Sequence, residues 1–256
     1  MTRYRHPGTA ALVLAAGQGT RMKSDLAKVL HPVAGRPLLA WVLDSLRDLE
    51  LDRVLVVVGH QRERVISAFT GARVEWVVQA EQRGTGHAVL MAGAALADFD
   101  GTLLVVCGDT PLLRAETLHA LLEGHAASGA SVTVLSMRVP EPRGYGRILR
   151  DARGGLAAIV EERDATDEQR RIDEVNSGVY AFRYPALAET LSSLTARNAQ
   201  GEYYLTDTVS LMGRRGLGTA VVCAADHREL LGINTVEQLA EAARVQLELA
   251  GGEERR

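Results

Sequence analysis

Two cysteines in 256 residues, Cys107 and Cys223, are too few and too far apart for a disulfide framework. Neither lies in a CxxC pair, which removes zinc ribbons and dithiol exchange from consideration. Both read as reduced thiols of a cytoplasmic protein. The opening "MTRYRHPGTA" lacks the apolar core of a signal peptide, and no run of 18 apolar residues exists to span a membrane as a helix. Charge of one sign is missing too. With 32 acids against 29 bases the net charge is −3, so no global field draws the chain to nucleic acid or to an anionic membrane surface. Aromatic residues are only 4% against a hydrophobic share of 46%, so the core rests on Val, Leu, Ile and Ala. That composition favours an α/β protein over an aromatic-rich β-sandwich. Lysine is the scarcest charge. The chain has 27 arginines and two lysines, and both lysines, Lys23 and Lys28, fall in "LVLAAGQGTRMKSDLAKVL" (12–30). Where bare positive charge suffices this chain uses arginine, so a retained lysine points to a need for a compact ammonium rather than a planar fork.

What is present is an alternation of short β-branched runs with longer amphipathic stretches, the pattern of parallel strands joined by helices. "AALVLAA", "RVLVVVG", "RVEWVVQA", "GTLLVVCGD" and "SVTVLSMRV" read as strands. "PLLAWVLDSLRDL", "GTGHAVLMAGAAL" and "RAETLHALLEGHAASG" carry apolar residues at helical spacing. The alternation breaks at "RGYGRILRDARGGLAAIVEERDA", which predicts two short strands around a turn at Gly154-Gly155, a β-rich insertion over the sheet. A strand "VNSGVYAFR", helices "PALAETLSSL" and "YYLTDTVSLMGRR", a strand "TAVVCAA" and a last helix from Thr235 follow, with "GGEERR" expected to fray. No linker divides the chain. The expected fold is Rossmann-like α/β, a mostly parallel sheet flanked by helices.

In an open parallel sheet, ligands lie beyond the carboxyl ends of the strands. "GQGTR" follows the first strand directly, so its backbone amides can face an anion. The Walker pattern is absent, and the dinucleotide pattern GxGxxG fails because Met22 stands in place of its third glycine, which disfavours a dehydrogenase. Gly17 and Gly19 alone would be a tight turn. Arg21 and Lys28 beside exposed amides suit a triphosphate, whose charge moves toward the leaving oxygens during reaction.

Taken with "AKVLHPVAGRPLL", "VVQAEQRGTGHAV", "VCGDTPLL", "GYGRI", "IVEERDATDEQR", "EVNSGVYAF", "QGEYYLTD" and "GIN" in that order, the loop resembles the sugar-1-phosphate nucleotidyltransferases. Within them it is similar to the bacterial N-acetylglucosamine-1-phosphate uridyltransferase branch, the first half of a bifunctional enzyme, from about Thr9 to about Leu239. The resemblance implies a uridyltransferase domain over 5–235, with 236–256 a terminal helix and tail. It implies that Leu14, Ala15, Ala16 and Gly17 line uridine and phosphates, that Gln79 reads the uracil edge, and that Gly84 and Thr85 make a second base contact. Glu81 and His87 would orient that loop. Asp109 and Asn234 would hold Mg2+, although an Asn at a helix start is more usually an N-cap. Cys107, Gly108, Gly146, Glu161, Asn176 and Tyr204, with Thr206 nearby, would form the sugar-phosphate site. Tyr203 reads equally well as a core residue.

Two positions depart from the family pattern. Ala27 replaces the proline usual before the loop lysine, which leaves the loop less stiff. Cys107 replaces a tyrosine common before "GD", a change that bears on affinity and N-acetyl selectivity. Its thiol is expected as a buried small residue rather than a nucleophile, because the implied chemistry needs none. That chemistry is in-line attack of N-acetylglucosamine 1-phosphate on the α-phosphorus of UTP, with Arg21 and Lys28 as the catalytic cations. A sister transferase using dTTP, CTP or glucose 1-phosphate, and a non-catalytic nucleotide sensor, are the competing readings. The acetyl-transferring β-helix of bifunctional members has no counterpart in this sequence, so the oligomerisation it supports is left open.

Overall fold

The computed structural model describes residues 3–253, with side chains described as far as residue 248. The elements in chain order are β1 (His6–Ala15), β2 (Pro32–Val33), β3 (Arg36–Pro37), α1 (Leu38–Arg47), β4 (Leu51–Val58), α2 (Arg62–Ala68), β5 (Glu75–Val78), α3 (Thr85–Met91) and β6 (Thr102–Cys107). Then come α4 (Ala115–Ser128), β7 (Val132–Arg138), β8 (Arg147–Arg150), β9 (Leu156–Val160), β10 (Glu174–Arg183), α5 (Tyr184–Leu191), α6 (Asp207–Arg214), β11 (Thr219–Cys223) and α7 (Val236–Glu253).

The main sheet runs β11-β7-β10-β6-β1-β4-β5. Every pair along it is parallel except the two made by β10, so the sheet is mostly parallel as the sequence pattern predicts. Strand period divides the core. Ala10 and Leu12 face one layer with α3, α5 and α6, whereas Ala11 and Val13 face the other with α1 and α4, and all four are fully buried. α4 stops where Gly129 takes the left-handed conformation (φ 62°). The β8–β9 hairpin is the expected insertion, hydrogen-bonded to β10 through the pair Val175–Arg147.

From β1 the chain steps to β4 and β5, then returns to place β6 on the other side of β1. The strand order therefore reverses between β1 and β6. A crevice opens beyond their carboxyl ends, where Ala16-Gly17 and Gly108-Asp109 lie.

Four details differ from the sequence reading. α2 was not anticipated, because Val65 is its one buried side chain and gives no periodic apolar signal. β2 and β3 form a two-residue ladder around Ala34-Gly35, both at positive φ (48° and 78°), a turn the sequence reading passed over. α6 begins at Asp207 rather than Tyr203, because residues 203–205 are tied to the loop before α3: Tyr203 N donates to Arg83 O (2.8 Å) and Leu205 N to Thr85 Oγ1 (3.0 Å). α7 begins at Val236 and runs through 251–253, part of the tail expected to fray; residues 254–256 lie outside the described residues.

Candidate functional site

A cavity of about 490 Å³ occupies the crevice. Leu14, Ala15, Ala16, Gly17, Lys28, Gln79, Gly84, Thr85, Cys107 and Asp109 all line it, so these expected site residues share one wall system. Its rim turns on Gly19. That residue is left-handed (φ 63°), and a Cβ there would lie 2.7 Å from Lys28 Cβ. Only glycine lets the chain turn into the short helical turn Thr20–Met22 while Lys28 crosses over it. Met22, the residue that breaks the dinucleotide pattern, is buried beneath this turn. The two lysines separate here. Lys23 is exposed, whereas the Lys28 side chain is only 12% exposed and reaches into the site.

Lys28 Nζ donates to Asp109 Oδ2 and to Asn234 Oδ1 (2.8 Å), and Arg21 Nη2 donates to the same amide oxygen (2.8 Å). Three chain segments, 21–28, 109 and 234, thus converge on one knot of charge. Asn234 is free for this because it is not the helix cap. Thr235 Oγ1 accepts from Gln238 N (3.3 Å), and Gln238 Oε1 accepts in return from Thr235 N (3.2 Å) and Asn234 N (2.7 Å), a reciprocal capping box. Ile233 N donates to Asp109 O (2.9 Å), which fixes "GIN" against the end of β6.

On the opposite wall, Gln79 Nε2 donates to Gly84 O (3.2 Å) and meets His87 Nδ1 (2.9 Å). The Gln79 side chain is therefore held by the loop it was expected to leave for a base edge, and His87 does the holding. Glu81 contributes its backbone carbonyl, which accepts from Arg83 N (3.0 Å). Gly84 (φ 106°) leaves no room for a side chain: a Cβ would lie 2.6 Å from Tyr203 O.

The remaining expected residues form a second group under the hairpin. Thr206 Oγ1 donates to Glu161 Oε1 (3.0 Å), and burial pushes the Glu161 carboxyl above the usual carboxylate range. A Cβ on Gly146 would sit 3.5 Å from Glu161 Oε2 and 3.6 Å from Asn176 Cβ, so these three residues meet. Asn176 Nδ2 donates to Tyr180 Oη (2.7 Å). Tyr204 is buried, its hydroxyl without a hydrogen-bond partner among the described residues, while Tyr203, for which a core reading stood equally open, is half-buried and packs against the core. Cys107 bridges the two groups: it lines the cavity and its Sγ contacts Gly178 O (3.6 Å). Burial, and then the Asp109 charge, push its thiol up to about 12, so it stays protonated. Gly108 packs on β1, its N donating to Leu14 O (2.9 Å).

Sequence reasoning missed Gln18, Gln82 and Glu202, which also line the cavity. Gln82 and Glu202 lie inside quoted motifs, but nothing in their spacing sets them apart. Tyr145 packs against the core layer that holds α1 and α4, where burial and then the Asp109 charge raise its hydroxyl.

A glycine loop after β1, a carboxylate after β6 and an ammonium between them lie at the reversal of strand order, the place where open α/β sheets take their ligands. The family model for the MobA-like NTP transferase domain matches residues 11–175, and the chain belongs to that family. It is 49% identical over 237 residues to the "Bifunctional protein GlmU" of Pelobacter propionicus, covering 92% of this chain and 52% of that protein. Against the "Bifunctional protein GlmU" of Streptomyces avermitilis it is 51% identical over 240 residues, covering 92% and 50%. The chain thus spans about half the length of the curated relatives it matches. A crystal structure of UDP-glucose pyrophosphorylase complexed with UDP-glucose shares the fold, with a TM-score of 0.72 and 17% identity over 97% of this chain and 99% of that one.

Proposed function

We propose that this chain transfers uridylyl from UTP to N-acetylglucosamine 1-phosphate, releasing pyrophosphate and giving UDP-N-acetylglucosamine. Residues 5–235 would form the uridyltransferase unit, working in the cytoplasm, where both free thiols stay reduced. The observation that carries the reading is the Lys28 ammonium, held by Asp109 and Asn234 at the mouth of a cavity floored by Leu14–Gly17.

The sugar phosphate is already ionised at neutral pH, so its attack on the α-phosphorus needs no general base. One phosphorus–oxygen bond forms as the bond to pyrophosphate breaks. The chain's work is positioning and charge stabilisation. Gly84, Thr85 and Gln79 hold the base, the Ala15–Gly17 backbone meets the phosphates, and Glu161, Asn176 and Thr206 hold the sugar. Arg21 and Lys28 stabilise charge on the transferred and departing phosphates.

Asp109 Oδ2 and Asn234 Oδ1 already share one cation, the Lys28 ammonium. A carboxylate and an amide oxygen converging on one positive centre are hard donors, and they suit Mg2+ completed by phosphate oxygens and water. Bound there, Mg2+ would neutralise the repulsion between the incoming phosphate and the α-phosphate.

Pyrophosphate release should be measured with Mg2+ over UTP, dTTP and CTP against the 1-phosphates of N-acetylglucosamine, glucosamine and glucose. Strong turnover is expected at UTP with N-acetylglucosamine 1-phosphate. Turnover concentrated elsewhere would move the substrate and make Cys107 the first residue to revert to tyrosine. Nucleotide binding without turnover anywhere would overturn the enzymatic reading.

A further inference from the structure

At the end of β1 remote from the nucleotide loop, His6, His119 and Glu123 come together. His6 Nε2 lies 3.0 Å from His119 Nδ1, and one ring nitrogen of each histidine and a carboxylate oxygen of Glu123 lie within 4.8 Å of one another. His119 and Glu123 are four residues apart on α4, hence on one face of the helix, and His6 reaches them from the first residue of β1. His6 is buried, His119 half-buried and Glu123 exposed, so the cluster is anchored inside and open outside. Tyr4 stacks on the His119 ring (centroids 4.1 Å apart, planes at 17°), which limits its rotation. The chain's 27 arginines neutralise many of its acids, yet among the described residues Glu123 has no lysine or arginine partner and faces two imidazoles instead.

We propose that His6, His119 and Glu123 bind a divalent transition-metal ion of the zinc type, as a structural clip between β1 and α4. Two imidazoles and one carboxylate match the preference of Zn2+ for nitrogen with one oxygen donor, and their net single negative charge suits a dication. Zinc bonds of about 2.0–2.1 Å in tetrahedral geometry hold two nitrogens about 3.3 Å apart. Binding the ion would replace the 3.0 Å contact between the two rings: both nitrogens would turn from each other toward a common point and part by a few tenths of an ångström. Three protein ligands leave a fourth position that water would fill. The register of β1 on β4, with His6 opposite Leu51 and Ala15 opposite Val58, spans seven residue steps of about 3.3 Å and puts this clip roughly 23 Å from the nucleotide loop, so it acts on stability and not on turnover.

The test is titration of the whole chain with Zn2+ by calorimetry and thermal melting, in an Asp109→Asn background that weakens the other oxygen site. The expected result is one tight equivalent and, at about 100 times Kd, a Tm rise of roughly 5–10 °C. Glu123→Gln changes an exposed side chain and should weaken Zn2+ binding tenfold or more without lowering the metal-free Tm; His119→Gln should abolish binding. Absence of a stoichiometric site, or equal affinity in the Glu123→Gln chain, would overturn the assignment, whether or not the His119 variant folds.

Discussion

Arg147 is the largest fully buried side chain, 1% exposed, and it ties the hairpin to the loop that carries Glu161. Its guanidinium donates to Tyr145 O and to Arg170 O (3.2 Å), and it approaches Glu162 Oε2 at 2.6 Å. Replacing it by methionine keeps much of the volume and removes the charge. Breaking a buried ion pair costs about 3–5 kcal/mol, but the Glu162 side chain is 30% exposed and can recover water, which brings that part to roughly 2 kcal/mol. Two carbonyls losing a charged donor add about 1.5 kcal/mol each. A total near 5 kcal/mol should lower Tm by about 10–20 °C, read by calorimetry. The kinetic signature is more specific. Because Glu161 and Gly146 flank the pair, KM for the sugar phosphate should rise several-fold while KM for UTP and kcat stay close to wild type. A Tm drop below about 2 °C, or equal rises in both KM values, would refute the prediction that Arg147 holds the Glu161 loop in place for the proposed sugar phosphate.

Four further outcomes follow from the same geometry. Lys28→Ala should fold normally and lose roughly 10²–10³ in kcat, the cost of one preorganised charged donor; full activity in both Lys28→Ala and Asp109→Ala would sink the mechanism. Ala27 sits at φ −53° and ψ 135°, angles proline adopts, so Ala27→Pro should raise Tm by about 1–4 °C through the entropy of the unfolded chain; a lower Tm would show that the site lacks room for the ring. Burial, and then the charge of Arg183, hold the His125 imidazole below its ordinary 6.5. The unfolded chain therefore takes up this proton first, so the stability His125 contributes is present above about pH 6.5 and lost as pH falls below it. Melting between pH 7.5 and 5.5 should show this slope, reduced in His125→Gln; the raised carboxyls of Glu161, Asp207 and Glu229 act in the opposite sense nearer their own lower range. Finally, a thiol reagent at pH 8 should label the exposed Cys223 rapidly and the half-buried Cys107, whose thiol is pushed up to about 12, far more slowly; two equally rapid equivalents would contradict that raised thiol.

The strands and most helices were legible in the sequence because their apolar residues repeat at the period of the element. β1, β4 and β6 read as near-continuous Val/Leu/Ala runs because neighbours cover both faces, and α1 and α4 show one apolar stripe. α2 escaped because a helix with a single buried side chain writes no stripe. The start of α6 was misplaced because "YYLTD" is a good helical sequence overridden by hydrogen bonds to the backbone of Arg83 and Gly86 and to the Thr85 hydroxyl, more than a hundred residues away.

By itself the sequence determined the loop and its chemistry: two glycines after a strand, a lysine kept in an arginine background, and an aspartate at the end of an apolar run. Those are local facts, set by residue type and neighbouring positions. Tertiary structure alone decided which of them meet. That Lys28 rather than Lys23 enters the site depends on a left-handed Gly19 leaving space for it. That Asn234 turns to Arg21 and Lys28 instead of capping α7 depends on Thr235 and Gln238 closing the cap between themselves. That Glu161 lies against Thr206, or His6 against His119, depends on how hairpin, helix and strand pack. Such pairings join residues 45 to more than 200 positions apart, and no periodicity along a chain encodes contacts at that range.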